Sequence, residues 1–209
     1  MWTSRLDDDV HEKTWVAKAA AMAALTLSLA LAGCSADYVE NSQAPVLLVI
    51  TAINDGAQLD SDIRNGTNAP DQGEFVCENE VPVDFVLQSK NPGSPASTSS
   101  TVLLTGYEVQ YSRTDGRATE GVDVPYRITG NLAASIEVGG ELSVPIEVVR
   151  RQAKLEPPLS NVQQAEILTV MAEVTVYGTT VSGKKVSASG RFQIDFANYG
   201  DKDTTCPTN

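Results

Sequence analysis

Histidine is almost absent from this chain: the sequence contains one, His11. Imidazole is the general base of Ser-His-Asp and Cys-His sites, a common zinc ligand and the side chain that titrates closest to neutral pH. Beyond residue 11 the sequence therefore excludes those nucleophilic sites, His-ligated zinc and imidazole acid–base catalysis. A pair of carboxylates for hydrolysis stays open, although no spacing among the acids nominates two of them. We expect that the protein is not an enzyme.

Aromatic residues are also scarce, at 6% of the chain, and both tryptophans, Trp2 and Trp15, lie in its first 15 residues. The Cys, Trp, Cys arrangement of true immunoglobulin domains is thus missing. Few aromatic side chains are left that an exposed loop or sheet face could offer to a ligand. This scarcity argues against a sugar-stacking platform and leaves protein recognition open. The candidates are Tyr38, Phe75, Tyr126 and Tyr199.

Positive charge is outnumbered: 15 Lys and Arg face 27 Asp and Glu, for a net charge of −12. The basic doublets Arg150-Arg151 and Lys184-Lys185 are isolated from each other in the sequence. A protein with this balance repels the phosphate backbone of nucleic acids. We therefore exclude nucleic acid as a partner.

The sequence has no apolar run long enough to span a membrane as a helix. The longest, from Ala19 to Ala32, has 14 residues, whereas a transmembrane helix needs about 20. Lys13 and Lys18 lie close before it, although four acids occur between residues 7 and 12. A short apolar run after nearby positive charges is typical of the apolar region of a secretory signal peptide.

The apolar run ends in Leu31-Ala32-Gly33-Cys34, after which the sequence becomes polar. These four residues resemble the lipobox of bacterial lipoproteins. The resemblance implies that residues 1–33 are a signal peptide that is removed, and that Cys34 carries the lipid which anchors the protein to the membrane. Ser35 in the next position implies, by analogy with enteric bacteria, the outer membrane, facing the periplasm or the cell surface. Residues 34–44 then form the lipidated start and a tether that reaches about 33 Å when fully extended.

After the tether, apolar and polar residues alternate with period two, which is typical of β-strands with one buried face. The pattern predicts an all-β domain over residues 45–199, followed by a tail over residues 200–209. About seven or eight antiparallel strands with turns between them favour an Ig-like or fibronectin-like β-sandwich, with a small β-barrel as the alternative. The predicted strands are 46–53, 81–88, 103–111, 126–129, 134–138, 142–148, 168–176 and 185–196.

Once Cys34 is lipidated, Cys77 and Cys206 are the two cysteines left. An exported domain folds in an oxidising compartment, so we expect a disulfide between them. Two unpaired thiols are the alternative. The disulfide would attach the C-terminal tail to the domain.

The acid-rich segment 54–74 is the one candidate metal site. It is predicted to be a long loop, and Ca²⁺ prefers the oxygen ligands that it offers. The EF-hand register fails, because Arg64 falls on position five and Asp71 on position twelve. A solvated loop that uses Asp, Asn and Gly for its turns is the alternative. The candidate ligands are Asp55, Asp60, Asp62 and Asn65.

If the connections alternate between the two ends of the sandwich, segment 114–123 lies at the same end as segment 54–74. That end is then predicted to be electronegative and far from the membrane, and to suit a cationic partner or a divalent ion. No cofactor other than such an ion is expected.

Taken together, these features predict a membrane-anchored lipoprotein of the cell envelope. Its β-sandwich is expected to act in binding or in envelope structure without catalysis, with an unknown envelope protein as partner. A calcium-dependent binding module that uses segment 54–74 is the alternative. An envelope hydrolase with a carboxylate pair is the third hypothesis.

Overall fold

Eight β-strands, the short α-helix Arg151–Lys154 and three 3₁₀ turns form in the residues that our computed structural model describes, which are 43–64, 75–93, 97–163, 165–199 and 206. The predicted signal peptide, Cys34 and all but the last two residues of the predicted tether lie outside this part of the chain. So does the C-terminal tail, apart from Cys206. The elements are β1 (Val46–Ile53), β2 (Leu59–Asp62), β3 (Asn79–Ser89), β4 (Val102–Arg113), β5 (Ile128–Ile136), β6 (Glu141–Val149), α1 (Arg151–Lys154), β7 (Ile167–Thr180) and β8 (Lys185–Ala197).

The strands form two sheets. One has the order β1-β3-β6 and the other β2-β8-β7-β4-β5. Neighbouring strands are antiparallel, except that β2 runs parallel to β8. The prediction of an all-β sandwich is confirmed. The order also puts the first, third and sixth strands in one sheet and the fourth, seventh and eighth in the other. Immunoglobulin sandwiches divide their strands A, B and E from C, F and G in the same way.

The core lies between the sheets and contains the inward half of each alternating pattern. In β7, Val170, Ala172, Val174 and Val176 are fully buried, while the residues between them are partly exposed. Burying one large apolar side chain contributes about 1.5–3 kcal/mol relative to leaving it in water. The largest fully buried side chains include Phe85, Leu87, Leu104, Ile128, Ile146, Leu159, Ile194 and Phe196.

Tyr111 connects the two sheets through a hydrogen bond. Its hydroxyl donates to the carbonyl oxygen of Val148 at 2.6 Å, from β4 across to β6. The ring is buried, and that burial raises the pKa of the hydroxyl. A buried phenol is expected to have such a partner, because an unpaired hydroxyl in the core would be destabilising.

Two predictions about local structure were wrong. Segment 54–74 was predicted to be a loop throughout, but β2 lies within it and pairs with the end of β8. Leu-Asp-Ser-Asp has little intrinsic preference for a strand, so its conformation depends on this pairing. The second error concerns segments 126–129 and 134–138, which were predicted as two short strands. Most of their residues belong to the single strand β5.

Two prolines lie opposite each other in the three-stranded sheet. Pro82 of the central strand β3 pairs with Pro145 of β6. A proline nitrogen cannot donate, so proline normally excludes a central strand. Here β1 pairs with β3 only as far as Val83, and β6 is an edge strand. Each proline therefore lies where the sheet has an edge on one side.

The connections alternate between the two ends of the sandwich. One end, which we call the turn end, gathers residues 44–45, 90–93, 97–101, 137–140 and 181–184 with the strand residues that border them. The other, the loop end, gathers residues 54–58, 63–64, 75–78, 114–127 and 150–163. Segments 54–58 and 114–127 thus lie at the same end, as the alternation predicts.

We predict that Gly178→Ala destabilises the sandwich. Gly178 lies in β7 between β4 and β8, and an added Cβ would come within 2.8 Å of the Leu103 carbonyl oxygen and 2.9 Å of Val102 Cγ1. The backbone would have to shift, so we expect a loss of about 1–3 kcal/mol in the free energy of unfolding. Urea unfolding measures it. Gly93→Ala is the control, since its Cβ would meet only Asn91 Oδ1 at 3.8 Å. Equal stabilities for the two variants would contradict the close packing at Gly178.

Candidate functional site

Three aspartates lie where β2 runs beside the end of β8. We call Asp60, Asp62 and Asp195 the acidic corner. Asp60 and Asp195 are directly paired between the parallel strands. Like charges in opposed positions repel by a few tenths of a kcal/mol to about 1 kcal/mol. The corner therefore attracts a positive charge unless other groups offset the repulsion.

Two glutamine side chains reduce this repulsion by donating hydrogen bonds to the carboxylates. Gln58 Nε2 donates to Asp60 Oδ1 at 3.0 Å, and Gln193 Nε2 donates to Asp195 Oδ1 and Oδ2 at 3.0 and 3.1 Å. Tyr199 lies beside the same carboxylates, and burial, followed by the charges of Asp60 and Asp195, raises the pKa of its hydroxyl. The carboxylates thus have neutral donors around them, and Asp60 stays exposed to solvent.

Asp62 holds parts of the loop end together. Its Oδ1 accepts hydrogen bonds from the backbone N–H groups of Arg64 and Tyr199 at 3.3 and 3.2 Å. Its carbonyl oxygen accepts a third from Lys154 Nζ at 2.6 Å. These bonds connect β2 with α1 and with the residues after β8. A structural role for Asp62 is therefore established, whether or not it also binds a ligand.

The predicted calcium ligands are only partly covered by the structure. Asp55 is exposed in the 3₁₀ turn Asn54–Gly56, where its φ is +53°. Asn65, Asp71 and Glu74 lie outside the described residues. Within the described ranges, no three His, Cys, Asp or Glu side chains lie close enough to share a metal ion. A calcium site in segment 54–74 stays a prediction.

The acids of segment 114–127 are paired with arginines. Asp115 Oδ2 lies 2.7 Å from Arg117 Nη2, and Asp123 Oδ1 lies 3.6 Å from Arg117 Nη1. Glu120 Oε1 lies 2.7 Å from Arg127 Nε. The hydrogen bonds from Arg117 lower the pKa of Asp115. The three acids of this segment thus share two arginines, which offset most of their negative charge. The electronegative end stays a prediction.

Lys154 is a buried cation that the sequence did not reveal. Only 2% of its surface is exposed, although it lies in the polar segment after β6. Burial lowers the pKa of its ammonium group to about 8, against the attraction of Asp62 and Glu78, which raises it. The bond to the Asp62 carbonyl compensates part of the lost hydration. Lys154 thereby fastens α1 to the end of β2.

A cleft of about 350 Å³ lies between the end of β4 and the start of β7. Its walls are largely apolar, and Ile167 in it is 62% exposed. Arg113 Nε is buried there with no hydrogen-bond partner among the residues that the structure describes, and Asp115 Oδ2 lies 3.7 Å from it. The cleft thus combines apolar walls with one charge of each sign, on Arg113 and Glu166. The lining includes Arg113, Pro158, Asn161, Val162, Glu166 and Ile167.

Cys77 and Cys206 form a disulfide with a Cα–Cα distance of 5.5 Å. The bond attaches residue 206 to the segment before β3, at the loop end, and Cys77 is buried. It connects residues 129 positions apart in the chain. Ligation of such distant positions restricts the unfolded chain strongly.

No protein-family model, no curated protein and no solved structure matches the chain. In the described part of the chain, no helix is long and apolar enough to cross a membrane.

The buried Lys154 predicts a pH dependence of stability. The unfolded chain keeps the proton up to pH 10.5, whereas the folded protein releases it near pH 8. Between these values the unfolded state binds more protons, so stability rises with pH. From pH 8 to 9.5 we expect a gain of about 1–2 kcal/mol relative to Lys154→Met. Urea unfolding at pH 7, 8 and 9.5 measures it. Lys90→Met, at an exposed lysine, is the control and should keep the gain; a gain that persists in Lys154→Met would contradict the assignment.

Loss of the disulfide should destabilise the domain. The chain-entropy model gives about 4–5 kcal/mol for a loop of this length. Urea unfolding of Cys77→Ser beside wild type, each with and without reductant, measures the effect. Reductant should lower the stability of the wild type to that of the variant and leave the variant unchanged. If both thiols of the unreduced wild type react with an alkylating agent, the disulfide does not form in solution.

Proposed function

We propose that this protein is a lipid-anchored component of the bacterial cell envelope, placed in the outer membrane, with a non-catalytic β-sandwich that binds a partner. The observation that carries the proposal is the lipobox-like Leu31-Ala32-Gly33-Cys34 after a short apolar run. Strand β1 begins at Val46, only 12 residues after Cys34. A chain with this arrangement holds a folded domain next to the bilayer.

The chemistry of the loop end supports binding rather than catalysis. Several of its charged groups have structural partners: Arg117 pairs with two acids of its own segment, and Lys154 bonds to the carbonyl oxygen of Asp62. A catalytic carboxyl or amine would instead have to face a substrate within hydrogen-bonding reach.

Exposed apolar side chains at the loop end support a protein partner. Val122 and Leu155 are 68% and 54% exposed, and Ile167 lines the cleft between the end of β4 and the start of β7. Binding residues lie preferentially on loops that a rigid scaffold positions. A partner with an exposed apolar side chain would fit the cleft, whose charged groups are Arg113 and Glu166.

Acylation of Cys34 tests the proposal. In a bacterial host, metabolic labelling with a fatty-acid analogue should tag the wild type, and Cys34→Ala should abolish the tag and release the protein from the membrane fraction. Multiple acyl chains are needed for this retention, because a single chain gives only marginal binding. Ser35→Ala is the matched control, since it leaves the cysteine in place. Membrane attachment of an untagged Cys34→Ala variant would overturn anchoring by this route.

A further inference from the structure

The turn end differs in charge from the rest of the molecule. It carries Lys90, Lys184 and Lys185, all exposed, and its acids among the described residues are Glu137 and Glu141. Three lysines against two glutamates give the described turn end a net charge of +1, in a chain whose total charge is −12. An anionic surface would attract this end and repel the remainder of the protein.

Exposed apolar side chains accompany the lysines. Leu103 is 47% exposed at the start of β4, and Val181 is 61% exposed in the turn between β7 and β8. The backbone N–H of Val181 donates to the carbonyl oxygen of Thr101 at 2.9 Å, so the two strand ends adjoin. Apolar side chains beside lysines are the composition with which proteins lie on a membrane interface.

The turn that presents these residues is held in shape. Thr180 N–H donates to the Lys184 carbonyl oxygen at 2.8 Å, and Lys184 N–H donates to Thr180 Oγ1 at 2.9 Å. Gly183 occupies the left-handed region that closes the turn, with a φ of +81°. Val181 and Lys184 are therefore presented together at a fixed tip, and little entropy is lost when that tip is bound.

The chain reaches the sandwich at this same end. The carbonyl oxygen of Pro45 accepts a hydrogen bond from Lys90 N–H at 3.0 Å, immediately before β1. Cys34 precedes Val46 by 12 residues, which span at most about 40 Å. A lipid on Cys34 would hold the turn end at a high local concentration near the bilayer, so even a weak contact would be occupied.

We propose that the turn end is a membrane-contact surface that lies against anionic phospholipid headgroups, with Val181 and Leu103 at the interface. This inference rests on the proposed lipid anchor and goes beyond it, since an anchor alone leaves the orientation of the domain free. Headgroup attraction decays within about 8 Å at physiological salt. Lys90, Lys184 and Lys185 therefore act only when the turn end touches the surface.

A single tryptophan can report the contact, because both native tryptophans lie in the predicted signal peptide. The lipidated protein, without the signal peptide and carrying Val181→Trp, is reconstituted into vesicles of phosphatidylglycerol and phosphatidylethanolamine with acyl-chain-brominated lipid. Val122→Trp, at a comparably exposed valine of the loop end, is the matched reporter. We expect a blue-shifted emission and at least threefold stronger quenching at position 181. Equal quenching at the two positions would overturn the membrane-contact surface.

Charge variants test the electrostatic part. Lys184→Gln with Lys185→Gln should reduce the quenching at position 181 at least twofold, as should vesicles of phosphatidylcholine alone. The control pair Arg150→Gln with Arg151→Gln, at the loop end, should leave it unchanged. If neither the lysine variant nor the phosphatidylcholine vesicles reduce the quenching, the role of the lysines is overturned.

Vesicle flotation of the wild type and Cys34→Ala separates the two proposals. If both float equally, the lipid anchor is overturned. If only the wild type floats but its two tryptophan reporters are quenched alike, the anchor stands and the membrane-contact surface is overturned.

Discussion

The pairing of β7 with both of its neighbours is the constraint on which the rest of the structure depends. Over its 14 residues, β7 is paired with β8 on one side and with β4 on the other. A slip of one residue would turn its buried valines to solvent, so the register is strongly fixed. With that register set, the ends of β4, β7 and β8 are placed. The loop end and the turn end follow from those strand ends.

Most of the fold could be predicted because the alternation of apolar and polar residues is nearly unbroken in the long strands. The predicted bounds of β1 agree with the structure, and those of β8 differ by one residue. Strand β2 could not be predicted, since four residues with two aspartates carry no such pattern and take their conformation from β8. The same holds for Lys154, whose burial depends on where α1 meets β2. Tertiary contacts of this kind leave no local signal in a single sequence.

The candidate site shows a similar limit. The sequence predicts which segments meet at the loop end but not how their charges are paired. Arg117 and Arg127 neutralise the acids of segment 114–127, and the bonds of Asp62 connect three elements. The sequence suggested an acidic surface formed by both segments, whereas in the structure the acids of segment 114–127 lie beside arginines. Pairings of this kind depend on side-chain geometry, which a count of acids does not contain.

The disulfide between Cys77 and Cys206 determines how the domain would carry a mechanical load. The chain approaches β1 at the turn end, whereas the disulfide fastens residue 206 just before β3, at the loop end. A force between the proposed N-terminal anchor and any load attached beyond residue 206 would therefore pull the starts of β1 and β3 in opposite directions. These strands are antiparallel neighbours, so the pull slides one along the other. Sliding strains all of their ladder hydrogen bonds at once, whereas peeling would break them one after another. With the two cysteines oxidised, such a force therefore loads the β1–β3 pair in shear.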